Sequence, residues 1–200
     1  MQSLRQLLTY GLIFFSLLFT TTISAMEVGS ETTRALAEQG DARAQNQLAW
    51  DYISIDYNKA FEWRVKAANQ GYAPAQFSVG QNYYFGPSKF EGPTKGQGVS
   101  QDYSEAFKWY MKAANQGHSE SQISLGIMYR EGYGVRQDHT KAIQWFKKAD
   151  NARGLFMIGR MYRYGEGVKK DKAVAKELFG KVCDQGFQSG CDAYRELNQR

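Results

Sequence analysis

The chain has 200 residues, 42% of them hydrophobic and 14% aromatic, with only 3 prolines. That composition can bury a core and excludes a disordered chain. The net charge of +5 is too small, and its 25 basic and 20 acidic side chains too evenly interleaved, to indicate a nucleic-acid surface.

Residues 1–25 read as an export signal. Arg5 and the amino terminus make a weak positive region, residues 7–19 are mostly apolar, and Ile23-Ser24-Ala25 ends in a small residue suited to cleavage after Ala25. Thr20, Thr21 and Thr22 stop the apolar run short of the about 20 residues a spanning helix needs. The expectation is a periplasmic or secreted protein with no stable membrane insertion once the segment is removed. Residues 26–40 begin polar and end in a short helical fragment, an N-terminal cap.

From Asp41 onward a unit recurs, and residues 122–149 hold its cleanest copy. A first helical run carries Gly126 and Tyr129, a Gly132-Tyr133-Gly134-Val135 turn follows, and Asp138 opens a second run. In that run Ala142, Trp145, Phe146 and Ala149 fall at i, i+3, i+4 and i+7, one face of a helix. Ala49, Gly80, Gly126 and Gly159 share one register, with Tyr52, Tyr83, Tyr129 and Tyr162 three residues later. Asp56, Asp102, Asp138 and Asp171 open the second helices as N-caps, and Trp63, Trp109, Trp145 and Leu178 follow each by seven. Asp102 and Glu105 have capping-box spacing. Gly71, Gly117 and Gly186 close the units.

Glycine inside a helix costs about 1 kcal/mol relative to alanine. Three glycines at one register therefore predict a helix packed closely enough to exclude a side chain. Two short amphipathic helices cannot bury their apolar faces alone, but stacked neighbours can. The predicted fold is all-α: an α/α solenoid of four TPR-like helix–turn–helix units at about residues 41–71, 72–117, 118–150 and 151–186, with a C-terminal cap helix at 187–200.

Two units depart from the period of 36 that separates Asp102 from Asp138. Ten extra residues lie between Gly86 and Gly98, where residues 87–97 form a Pro- and Gly-rich loop. Asp138 to Asp171 spans only 33, which predicts a shortened start to the fourth unit's first helix.

Leu-Gly-x-x-Tyr, then Gly-x-Gly-Val, then Asp-x-x-Lys-Ala-x-x-Trp resembles the Sel1-like repeat family, a relative of the tetratricopeptide repeats. The third unit carries the motif on Leu125, Gly126, Tyr129, Gly132, Gly134, Val135, Asp138, Lys141, Ala142 and Trp145. The second repeats it on Gly80, Tyr83, Gly98, Val99, Asp102, Ala106 and Trp109. The fourth has Gly159, Tyr162, Gly165, Gly167, Val168 and Asp171, with Leu178 in place of tryptophan. The resemblance implies a superhelical scaffold for protein or peptide partners, without cofactor and commonly without catalysis. The alternative it carries is an enzyme of the penicillin-interacting type.

Cys183 and Cys191 align with positions at the end of one helix and the start of the next, where a bridge is geometrically possible. The resemblance to disulfide-bearing exported members implies that they pair; two buried free thiols are the alternative. With no histidine nearby they do not make the four-ligand set of a structural zinc. His118 and His139 read as exposed surface residues. The chain shows no Ser-x-x-Lys, His-Glu-x-x-His, Walker loop or Cys-x-x-Cys motif.

The aromatic registers of Tyr129 and Trp145 read as core. Interaction residues should vary between units and face away from it. The position after the register glycine, held by Trp50, Gln81, Ile127 and Arg160, fits that requirement, as does the row two before it that includes Met157. Tyr84 at the edge of the insertion and Phe90 within it complete the candidate partner-binding set, because loops on rigid scaffolds often carry specificity.

Overall fold

The computed structural model describes residues 29–87 and 96–199. Residues 1–25, read from sequence as an export signal, and Phe90 lie outside these residues. Among the described residues there are ten helices and no strand: α1 (Glu31–Glu38), α2 (Ala42–Tyr52), α3 (Tyr57–Asn69), α4 (Ala73–Phe85), α5 (Tyr103–Ala114), α6 (Ser119–Glu131), α7 (His139–Lys148), α8 (Ala152–Tyr164), α9 (Lys172–Asp184) and α10 (Gln188–Asn198). Each helix packs on its chain neighbours, so the core is a row of clusters rather than one centre, as an α/α solenoid requires. None of these helices is long and apolar enough to cross a membrane.

The second helices begin where the aspartates stand. Asp56, Asp102, Asp138 and Asp171 each accept backbone N–H groups of the first turn. Each also donates its own N–H to a first-helix carbonyl, that of Tyr52, Tyr83, Tyr129 or Tyr162. One residue thus starts a helix and ties it back to its partner. The expected capping box at Asp102 is not closed: Glu105 binds Lys108 Nζ at 2.6 Å, because the Asp102 N–H already serves Tyr83.

The glycine register faces the second helix of its own unit. A methyl group built on Gly80 would lie 2.6 Å from the Tyr110 ring, and one on Gly159 2.7 Å from Phe179; at Gly126 it would collide with Phe146. The fully buried ring is therefore the residue after the tryptophan position. Trp63, Trp109 and Trp145 are only half-buried, each covered by a lysine three residues on, with Nζ 3.9–4.2 Å from the ring centroid. The reading of Trp145 as plain core needs that correction. Trp109 and Trp145 pack against clusters that combine residues of the preceding unit with residues of their own, and so close the joint between units. First-helix tyrosines do the same: Tyr83 meets Phe61 and Tyr129 meets Phe107 edge-on, at centroid distances of 5.8 and 5.6 Å.

The second glycine of the Gly-x-Gly-Val turn makes a further joint. Gly98, Gly134 and Gly167 sit against Tyr57, Tyr103 and His139, the first residues of the preceding unit's second helix. The ten-residue insertion thus returns to the same seat as an ordinary turn, with Gln97 Oε1 accepting the Tyr57 N–H at 2.7 Å.

The missing three residues fall elsewhere than the sequence suggested. α8 keeps 13 residues, as α6 has, whereas α7 has only 10. The second helix of the third unit is the shortened one. Asp150 then takes the left-handed turn, φ 44°, that glycine takes at the other unit ends. α8 enters so close to the end of α7 that a side chain at Gly154 would strike the Phe146 carbonyl.

Candidate interaction surface

Three consecutive first helices share one cavity of about 210 Å³: Tyr84 and Phe85 of α4, Ser124 and Ile127 of α6, and Arg153 of α8 line it, with Tyr110 of α5 beneath. First helices α4, α6 and α8 therefore share one face of the solenoid, the cavity-bearing inner face. Tyr84 and Ile127, both candidates from sequence, meet here. Tyr84 belongs to a ring cluster with Phe85, Tyr103 and Tyr133, and Tyr103 stacks on Tyr133 at 4.7 Å. Phe85 is 61% exposed at the rim.

Burial and neighbouring phenols push the Tyr84 pKa up, and burial does the same more strongly for Tyr110. Both phenols therefore stay neutral. Ser124 donates to the Glu120 carbonyl at 2.9 Å and Arg153 pairs with Glu120, so neither is poised as a nucleophile or base. No cluster of three metal-ligating side chains occurs among the described residues. The cavity offers apolar area with a few polar edges, which is what binding asks for.

The other candidates are placed differently. Arg160 lines a second cavity of about 360 Å³ between α8 and α10, with Phe156, Phe179 and Glu196 among its walls. Gln81 is half-buried on α4. Met157 is 7% exposed and packs in the core with Ile123 and Phe146, so it presents little surface. Trp50 is 50% exposed and lies over the Arg64 guanidinium, 5.0 Å from the ring centroid.

Arg64 itself was missed. It stands at the register of Tyr110, Phe146 and Phe179, one residue after the tryptophan position. Reading that next column of the repeat would have shown a cation where the other units have a ring.

His118 is not the exposed residue expected. It caps α6, with Nδ1 accepting the Ser121 N–H at 3.3 Å, and its ring lies 4.9 Å from Phe77. Burial lowers its pKa below 6.5, against a smaller opposing effect of Glu120. The unfolded chain therefore takes up the proton first as pH falls through 6.5, and stability present above that pH is lost below it. We expect the melting temperature to drop on acidification through this window. In His118→Asn, which keeps a cap acceptor but cannot titrate, that part of the drop should vanish. An unaltered pH profile in the variant would remove His118 as the cause.

The Gln positions reveal why the cysteines sit where they do. Gln45, Gln76 and Gln122 each donate Nε2 to a carbonyl eight residues earlier, that of Ala37, Ala68 and Ala114. Cys183 and Cys191, also eight apart, form a disulfide at the equivalent joint between α9 and α10, with Cα atoms 4.5 Å apart. A covalent bond replaces the hydrogen bond of those three joints.

The Sel1 repeat model matches residues 42–72, 94–118, 119–149 and 152–187, more than half of the chain. The chain belongs to the Sel1 repeat family. Among solved structures, this Sel1 repeat protein is similar to a protective antigen present in uropathogenic Escherichia coli strains, described as displaying an SLR fold. The TM-score is 0.71 at 35% identity, over 82% of this chain and 35% of that one. A Sel1 repeat protein from Oxalobacter formigenes matches with TM-score 0.62 at 33% identity, over 74% of this chain and 60% of the other. An uncharacterized protein of Haemophilus influenzae is 62% identical over 26 residues, 13% of this chain and 50% of that protein. The chain thus spans from about a third to three fifths of the length of these relatives. Sel1 repeats generally mediate protein interactions.

Proposed function

We propose that this Sel1 repeat protein is an exported, non-enzymatic scaffold of the cell envelope that holds a peptide or protein segment on its inner face. The observation that carries this reading is the cavity shared by α4, α6 and α8, with Tyr84 and Ile127 in its walls and Phe85 exposed at its rim. Aromatic anchors around a concave site are what binding hot spots are made of. The Cys183–Cys191 bridge supports export, since such bonds persist mainly in oxidising compartments.

The test is crosslinking and recovery from envelope extract with three forms of the protein. Wild type and Lys147→Glu, a change on the exposed side of second helix α7, should recover the same partner. Ile127→Glu places a charge in the cavity wall and should reduce recovery about ten-fold, the loss of one good contact. Ile127 is half-buried and packs against the cluster of Ile123 and Phe146, so recovery is compared at a temperature well below the melting point of the variant. Equal recovery by all three would show that the partner does not use this face.

A further inference from the structure

The most unusual group in the molecule is the Arg64 side chain. It is 3% exposed, and no carboxylate among the described residues pairs with it. Nη1 donates to Asn82 Oδ1 at 3.3 Å, and Tyr57 Oη lies 3.5 Å from the same oxygen. Arg64 Nε has no acceptor, and Asn82 Nδ2, which must point away because arginine can only donate, has none either. A buried, unmade hydrogen bond is costly, and a buried unpaired charge more so. Burial lowers the Arg64 pKa, yet guanidinium remains a cation at neutral pH.

Both polar groups are departures from the repeat. Arg64 takes the place of Tyr110, Phe146 and Phe179, while Asn82 takes the place of the buried Met128 and Met161. Ala49 stands where the other units need glycine to admit a ring. By these registers Arg64 stands where Tyr110 stands one unit on, and Trp50 where Ile127 stands two units on, and both of those residues line the inner-face cavity. Trp50 covers the guanidinium with a half-exposed indole.

We infer that Arg64, Asn82 and Trp50 form a carboxylate-binding site on the inner face, which receives an acidic side chain or a free C-terminus of the bound peptide. A carboxylate gives the buried Arg64 Nε–H an acceptor and neutralises the cation, while Asn82 Oδ1 holds the guanidinium from its other side. The exposed indole swings aside to admit it and then packs on the ligand's apolar stem. The inference rests on the inner face being the binding surface, but its test needs no natural partner.

The Nε–H resonance of Arg64 reports the site directly. Sodium acetate, titrated against sodium chloride at constant ionic strength, should shift it saturably, and chloride alone should not. Acetyl-trialanine with a free carboxyl group, its C-terminal amide, and an amidated peptide with a central aspartate then distinguish the two sources. A response to the first alone assigns a C-terminus, and a response to the third assigns an acidic side chain.

Two variants guard against a merely structural role. Ala49→Gly/Arg64→Phe restores the repeat consensus; it should melt higher than wild type and lose binding of the responding peptide, read by calorimetry. Asn82→Met should keep the Arg64 resonance and lose most of its acetate shift. Absence of a saturable acetate shift, or peptide binding undiminished in the consensus variant, would overturn the inference. A response to phosphate but not to acetate would overturn the carboxylate assignment.

Discussion

Replacing Gly126 by leucine is expected to lower the melting temperature, although leucine is the better helix former by nearly 1 kcal/mol. An exposed site would gain that difference. Here even the first carbon of a side chain collides with Phe146, whose ring is 1% exposed and backed by Ala142, Met157 and Ile158. The ring has no open space to retreat into. Overpacking of this kind costs about 1–3 kcal/mol and at times more, which corresponds to roughly 2–12 °C for a chain of this size.

Gly126→Ala is the sharper companion experiment, because it adds only the clashing carbon. Alanine should fail to deliver its usual helix-propensity gain, and combining it with Phe146→Leu should recover much of the loss. Thermal melts of the four species give the coupling between the two sites. Additive effects, or a higher melting temperature in Gly126→Leu, would contradict the packing. Ala49 supports the same logic from the other direction: alanine occurs at this register in the unit whose opposing residue is Arg64 and not a ring.

Removing the disulfide is expected to cost up to about 2.5 kcal/mol, the chain-entropy value for a loop of this length. The loss should be local. α10 packs mainly on α9, and in a stacked array stability is a sum over neighbours. Hydrogen exchange in Cys183→Ser/Cys191→Ser should therefore speed up in α10 and the end of α9 while α2 and α3 keep their protection. The pair Cys183→Ala/Cys191→Gln copies Ala68 with Gln76 and Ala114 with Gln122, whose Nε2-to-carbonyl bonds are 3.1 and 3.2 Å. That variant should recover about 1 kcal/mol relative to the serine pair, the net worth of one hydrogen bond. If the serine and Ala/Gln pairs melt alike, the equivalence of the joints is wrong. Uniform acceleration across all helices would show that the bridge supports the whole array.

The aspartate caps and the closing glycines of the units were open to reading from sequence, because their partners lie within a few residues and the residues recur from unit to unit. Recurrence inside one chain also showed that something crowds Gly80, Gly126 and Gly159. It did not show what, and the ring that does the crowding follows the tryptophan by one position. The capping box at Asp102 failed because a carbonyl from another helix, that of Tyr83, took the N–H that Glu105 needed. His118 looked like a surface residue because its partner ring, Phe77, is 41 positions away in the previous unit.

The sequence by itself determined the starts of the second helices, the repeat and its family, since these rest on local hydrogen bonds and on a period written four times. Only the tertiary structure decided which residues share the inner face. It set Tyr84, Ile127 and Arg153 around one cavity, withdrew Met157 into the core, and shortened α7 rather than α8. It also left Arg64 buried without a counter-charge. The physical reason is that a side chain's burial depends on what the neighbouring unit brings against it. Spacing along one helix carries no record of the helix packed across from it.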